Sequence, residues 1–207
     1  MKKLNKLSVL ALTSLFILSS CETTELELTS NPNALSPENA SVDLFINNVQ
    51  EDFANFVNSM GDVGARLTRI AQMSGDRMYQ DAYSPNSFSG IWSSAYQGMM
   101  EDLRVMNGIA AENGLTYHIG MGQVMQAYIL MTLVDYFGDV PYTEALLGSE
   151  NLNPAPDSGQ SVYNSAIGLL DSAISNFSGG GPAPQYDMYY GGNSAGWIKA
   201  ANSIKKR

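Results

Sequence analysis

The 207 residues include one cysteine, one histidine and two tryptophans, and between Arg104 and Lys199 there is no lysine or arginine at all. Each scarcity excludes something. A single thiol has no partner for an internal disulfide, and one thiol with one imidazole falls short of the ligand set of a zinc site. His118 would have to serve any Ser-His-Asp or Cys-His arrangement alone, and no nucleophile motif surrounds it, so it reads as a partly exposed helix residue. No apolar run reaches the roughly 20 residues that a membrane-spanning helix needs. The stretch without cations holds Glu112, Asp135, Asp139, Glu144, Glu150, Asp157, Asp171 and Asp187. Such a surface is a poor match for nucleic acid and for anionic lipid alike. Nothing in the chain calls for a cofactor or a metal, although Asp135, Asp139 and Asp157 leave a loop calcium site open. The ordered acid spacing of an EF-hand is missing.

What is present begins at the N-terminus. Lys2, Lys3 and Lys6 precede an apolar run from Leu7 to Leu18, which Ser19 and Ser20 separate from the lone Cys21. A positive segment, a short apolar segment and small residues before a cysteine form a lipoprotein signal. Residues 1–20 are therefore expected to be removed, leaving Cys21 as the lipidated first residue, and several acyl chains on one residue give stable anchoring. The competing reading, an ordinary secretory peptide with an incidental cysteine, leaves the unpaired thiol unexplained. Loss of residues 1–20 leaves 8 basic and 20 acidic residues, a net charge of −12. Residues 21–33 are polar and acidic and read as a tether.

Residues 34–207 then carry helical periodicity. Ser36-Pro37-Glu38 has the chemistry of a helix start. Behind it Val42, Phe45, Ile46, Val49, Phe53, Phe56, Val57 and Met60 recur at steps of three and four. Val63, Leu67, Ile70 and Met73 form a second, shorter pattern ending at Gly75. Helices are predicted over 91–113 (Trp92, Tyr96, Met99, Leu103, Met106, Ile109), over 117–137 and over 161–177. A last one opens at Ser194 with Trp197, Ala200, Ala201 and Ile204. Gly114 and Gly138 stand as C-terminal stops. No alternating pattern competes, so the fold class is all-α, with irregular tetratricopeptide-like helical hairpins and long loops. Trp92 and Tyr96 are assigned to the core, facing 117–137.

Two loops are rich in groups that recognise ligands. Residues 74–88 hold Arg77, Tyr79, Tyr83 and Asn86, and residues 178–193 hold three consecutive glycines with Tyr186, Tyr189 and Tyr190. Ring faces stack on sugars while hydroxyls, amides and a guanidinium bond to polar groups; the same rings also serve as local packing. Arg77, Tyr79, Tyr83 and Asn86 are the candidate ligand contacts.

The segment Leu133-Val134-Asp135-Tyr136-Phe137-Gly138-Asp139-Val140-Pro141-Tyr142-Thr143-Glu144-Ala145-Leu146 resembles the hallmark of the SusD/RagB nutrient-binding outer-membrane lipoproteins of Bacteroidetes. Supporting matches are Trp92 with Tyr96, Ala127-Tyr128, Val162-Tyr163 with Leu170-Asp171-Ser172-Ala173-Ile174, and Trp197-Ile198-Lys199-Ala200-Ala201-Asn202-Ser203. The resemblance implies a surface lipoprotein of the outer membrane that binds an oligosaccharide or a peptide and delivers it to a TonB-dependent SusC-like transporter, without catalysis. A lipid-anchored glycoside hydrolase and a structural protein-interaction lipoprotein are the alternatives. Asp135, Tyr136 and Asp139 are expected to shape the turn rather than touch ligand. Members of the family run to about twice this length, and the match stops inside a helix. The chain is therefore expected to be the N-terminal part of a longer protein, or the product of a truncated gene, with the apolar face of its last helix lacking a later partner.

Overall fold

In the computed structural model, residues 41–72 and 84–207 are described, all within one compact unit, Pro37–Arg207. Ser41 is extended (φ −70°, ψ 146°) and its hydroxyl accepts from Leu44 N–H at 3.2 Å, which caps α1 (Val42–Leu67). The predicted start at Ser36 lies outside the described residues. The first expected stripe and Val63 and Leu67 of the second belong to one helix of 26 residues, with Val42, Ile46, Val49, Phe56, Met60 and Val63 on its buried face; Met73 and Gly75 lie outside the described residues. The helix ends where the Thr68 hydroxyl bonds back to Gly64 O at 2.8 Å and Arg69 turns to φ 63°. Ile70, expected in the second stripe, is exposed.

After a 3₁₀ turn at Pro85–Phe88, α2 (Ser89–Ser93) runs without a break through a π-helical segment, Ser94–Met100, into α3 (Glu101–Glu112). Gly114 at φ 67° turns the chain into α4 (Thr116–Phe137). Gly138 at φ 79° stops it, a backbone region that glycine enters without the penalty of a Cβ. Ser158 caps α5 (Gly159–Ser178), and Asn193 caps α6 (Ser194–Ile204). The only pairing of extended backbone among the described residues is the isolated bridge Val140–Asp157. The protein is all-α, as its periodicity implies.

Contacts between named residues fix the directions of the helices. Asn48 bonds Asp102 while Asp52 faces Gly98, and Leu103 lies beside Gly122 while Trp92 packs on Phe137, so the run from α2 to α3 is antiparallel to both α1 and α4. Asp43 bonds His118, and Tyr136 bonds Met60 O, so α1 and α4 are parallel. Asn176 bonds Gln123 and Tyr163 bonds Asp135, so α5 returns antiparallel to α4. Helix α4 is surrounded on every side. It buries Met121, Val124, Met125, Ile129, Leu130, Met131 and Leu133 round its circumference, which a helix covered on all faces can do. At Gly120 the absent side chain admits the Phe177 ring, whose atoms would stand 3.0–3.1 Å from a Cβ.

Three expectations need correction. His118 is buried rather than partly exposed, with its Nε2 2.8 Å from Asp43 Oδ1. Part of the last helix's stripe is covered by earlier elements, while Ala200 and Ile204 stay half-buried. Trp197 and Ala201 are buried, and the Trp197 ring stacks on Phe177 at 6.0 Å. Trp92 and Tyr96 are only half-buried, because the buried face of this helix run is Ala95, Met99, Leu103, Met106 and Ala110. The π segment carries one extra residue through the turn, and one residue is about 100° of rotation. The side chains ahead of it therefore slip off the face that a regular helix would have given them.

Candidate functional site

That change of period leaves Trp92, ahead of the segment, and Tyr96, within it, at the end of α4. The two rings stack in parallel, 5.1 Å apart with 6° between their planes. Trp92 also packs on Phe137 at 5.2 Å. Tyr96 donates from its hydroxyl to Pro141 O at 2.7 Å. Burial, with a contribution from the Asp157 carboxylate, pushes its phenol well above the ordinary tyrosine value. The hydroxyl thus stays protonated and remains a donor at any physiological pH.

The loop from Gly138 to Ser158, which Tyr96 grips, is built on carboxylates. Asp157 accepts from Tyr142 N–H at 2.9 Å, from Thr143 N–H at 2.8 Å and from the Thr143 hydroxyl at 2.8 Å. The bonds from Thr143, its backbone first, hold that carboxyl below the usual range. Asp139 accepts from Gly159 N–H at 2.9 Å, at the start of α5. Glu144 accepts from Asn151 at 3.0 Å and from Ala155 N–H at 3.1 Å. Asp135 is engaged by Tyr163 and by Arg207. All these acids hold the chain's own donors, and among the described residues no three His, Cys, Asp or Glu side chains are grouped to hold a metal ion. The loop also holds Leu146 at φ 62°, a strained conformation for a branched side chain and one that clusters at functional sites.

Between the helix run and this loop lies a cavity of about 800 Å³. Its walls are Trp92 and Tyr96 on one side and Pro141, Ala145, Leu146 and Leu147 on the other, with Gln97, Glu101, Arg104 and Glu150 supplying polar groups. An apolar, partly aromatic cleft with a few polar groups is the usual form of a small-ligand site. Arg104 is joined to Glu101 through two bonds, Nε to Oε2 at 2.8 Å and Nη2 to Oε1 at 2.6 Å. The hydrogen bonds from Arg104 lower the Glu101 pKa, outweighing its partial burial.

Of the residues singled out from sequence, Asn86 is exposed in the 3₁₀ turn and does not line the cavity. Arg77, Tyr79, Tyr83 and Cys21 lie outside the described residues. Two residues beyond Asn86, Phe88 packs on Phe137 at 5.2 Å, the ring on which Trp92 also packs. The other tyrosine-rich loop proves to be tied down. Buried Gln50 of α1 donates to Tyr186 O at 3.0 Å and accepts from Met188 N–H at 2.8 Å. Asp187 accepts from Tyr189, Tyr190 and Gly192 N–H groups, from the Trp197 indole and from the Tyr117 hydroxyl. Sequence reasoning missed Trp92, Tyr96, Glu101 and Arg104 as cavity residues. The available signal was a polar row, Gln97, Glu101 and Arg104, beside two aromatics one turn apart.

The chain is a stack of helical hairpins with an aromatic-walled cleft beside a carboxylate-braced loop. A family model described as SusD-like, starch-binding associating with outer membrane, matches residues 32–207, and the chain belongs to this family. Among solved structures, a SusD/RagB family protein from Bacteroides thetaiotaomicron aligns with TM-score 0.66 and 22% identity, covering 80% of this chain and 37% of that one. The chain thus spans a little over a third of the length of that relative. No curated protein matches the sequence.

Proposed function

We propose that the chain forms part of a surface lipoprotein that holds a glycan against Trp92 and Tyr96 and hands it to a TonB-dependent SusC-like transporter. In this reading residues 1–20 are the signal, Cys21 carries the lipid anchor to the outer membrane, and residues 21–33 are the spacer. One observation carries the proposal: a parallel Trp–Tyr stack, fixed at its tip by Pro141 O, stands in the wall of the cavity. Flat rings held in place suit the apolar faces of sugar rings, because little side-chain entropy remains to be lost on binding. The family's description supports a glycan over a peptide. Arg77, Tyr79 and Tyr83 complete the contact set in this proposal, since their loop leads to Phe88, which packs on Phe137 behind Trp92, whereas Asn86 does not line the cavity.

Binding without chemistry agrees with the setting of Glu101, one of the cavity's two carboxylates. A glycosidase needs one carboxylic acid whose proton is retained near neutral pH. Glu101 is driven the other way by Arg104.

Titration calorimetry of the full-length protein against neutral and acidic oligosaccharides, with reducing-sugar release followed in parallel, tests the proposal. Trp92→Ala and Tyr96→Ala are each expected to weaken glycan binding at least tenfold. Undiminished affinity in both would remove the cavity from consideration, and sugar release would overturn binding without chemistry.

A further inference from the structure

The charge of the cavity points to the class of glycan it accepts, an inference that rests on the glycan reading above. Among the described residues lining it there is one cation, Arg104, and two carboxylates, Glu101 and Glu150. Those side chains sum to a charge of −1. The cation is occupied. Its Nε and Nη2 both lie on Glu101, at 2.8 and 2.6 Å, and both residues sit three positions apart on α3, so neither must travel to keep the pair.

We propose that Glu101 is a specificity residue: by holding the guanidinium of Arg104 it reserves the cavity for uncharged sugar rings and excludes uronate and sulfated ones. An exposed ion pair contributes little to stability, and here the pair's role lies in selection. A ligand carboxylate or sulfate would find only the outer N–H groups of a guanidinium whose charge Glu101 already offsets. It would also stand as a third negative group in a cleft whose walls already carry Glu101 and Glu150. A neutral ring meets no such repulsion. It can accept or donate hydrogen bonds at the outer atoms of the pair while stacking on the aromatic wall. Selectivity of this kind works through repulsion of the wrong ligand.

The experiment uses the full-length protein, its Glu101→Gln variant and the Glu101→Gln/Arg104→Ala double variant. Probes are neutral gluco-, xylo- and manno-oligosaccharides, oligogalacturonates and sulfated oligosaccharides, titrated at 50 and 300 mM salt. The native protein is expected to bind at least one neutral series at least tenfold more tightly than any acidic one. Glu101→Gln should shift the acidic-to-neutral affinity ratio at least tenfold toward the acidic probes, more at low salt, and the double variant should cancel the shift. Equal native affinity for both classes, or an unmoved ratio in Glu101→Gln, overturns the inference while leaving glycan binding in place. Absence of binding to every probe sinks the glycan reading itself, and this inference with it.

Discussion

Replacement of Asp187 by alanine tests how the second tyrosine loop is secured. Its two carboxylate oxygens accept five bonds: Tyr189 and Tyr190 N–H on Oδ1 at 3.1 and 3.0 Å, and Gly192 N–H, the Trp197 indole and the Tyr117 hydroxyl on Oδ2 at 3.0, 2.8 and 3.3 Å. The first two backbone donors are at exposed residues and can turn to water. Trp197 and Tyr117, each 3% exposed, cannot. A bond from a buried donor to a charged acceptor contributes about 1.5–3 kcal/mol, so Asp187→Ala should cost about 3–5 kcal/mol. For a unit of this size that lowers Tm by roughly 6–20 °C. Burial alone would raise the Asp187 carboxyl, but the bonds from Tyr190, Trp197, Gly192 and Tyr189 outweigh it and hold the group below its ordinary value. A depressed folded-state pKa contributes stability above the unfolded-state value, near pH 4, and loses it as pH falls through the folded-state value. The gap between native protein and variant should therefore be full at pH 7 and narrow below about pH 4. Urea unfolding followed by circular dichroism at pH 7, 5 and 3 measures both effects. A cost under about 1 kcal/mol at pH 7 would refute the assignment of these donors as stranded.

Three further outcomes are expected. Trp92→Ala loses ring contacts with Tyr96 and Phe137 worth about 0.5–1.5 kcal/mol each, so chemical denaturation should show a loss of about 1–3 kcal/mol; about 4 kcal/mol or more would return Trp92 to the core. Tyr96→Phe removes the bond to Pro141 O and should cost about 1 kcal/mol while speeding amide exchange over residues 140–146, whereas unchanged exchange would show that the loop holds without it. Cys21→Ala should abolish incorporation of radiolabelled fatty acid and leave the helical spectrum intact; label persisting in the variant defeats the lipidation proposal.

The helices were legible because their apolar residues follow the period of 3.6, and the stops at Gly114 and Gly138 because both sit at positive φ. The 26-residue length of α1 was hidden because Gly61 and Gly64 look like a break, although Gly64 is where the Tyr136 ring closes on the helix. His118 was misjudged because its partner, Asp43, lies 75 residues away and is brought close only by the parallel packing of α1 and α4. The cavity was illegible for a different reason. Its aromatic wall depends on a change of helical period within Ser94–Met100, which residue identities do not announce.

That π segment makes the aromatic wall a property of chain length as much as of composition. Loss of a single codon among residues 94, 95 and 98–100 would let the segment relax to the ordinary helical repeat and swing Trp92 about 100° round the axis. Every side chain that lines the cavity could then be retained and the cavity still be lost. Point substitutions change the chemistry of the wall, but an insertion or deletion here decides whether there is a wall at all.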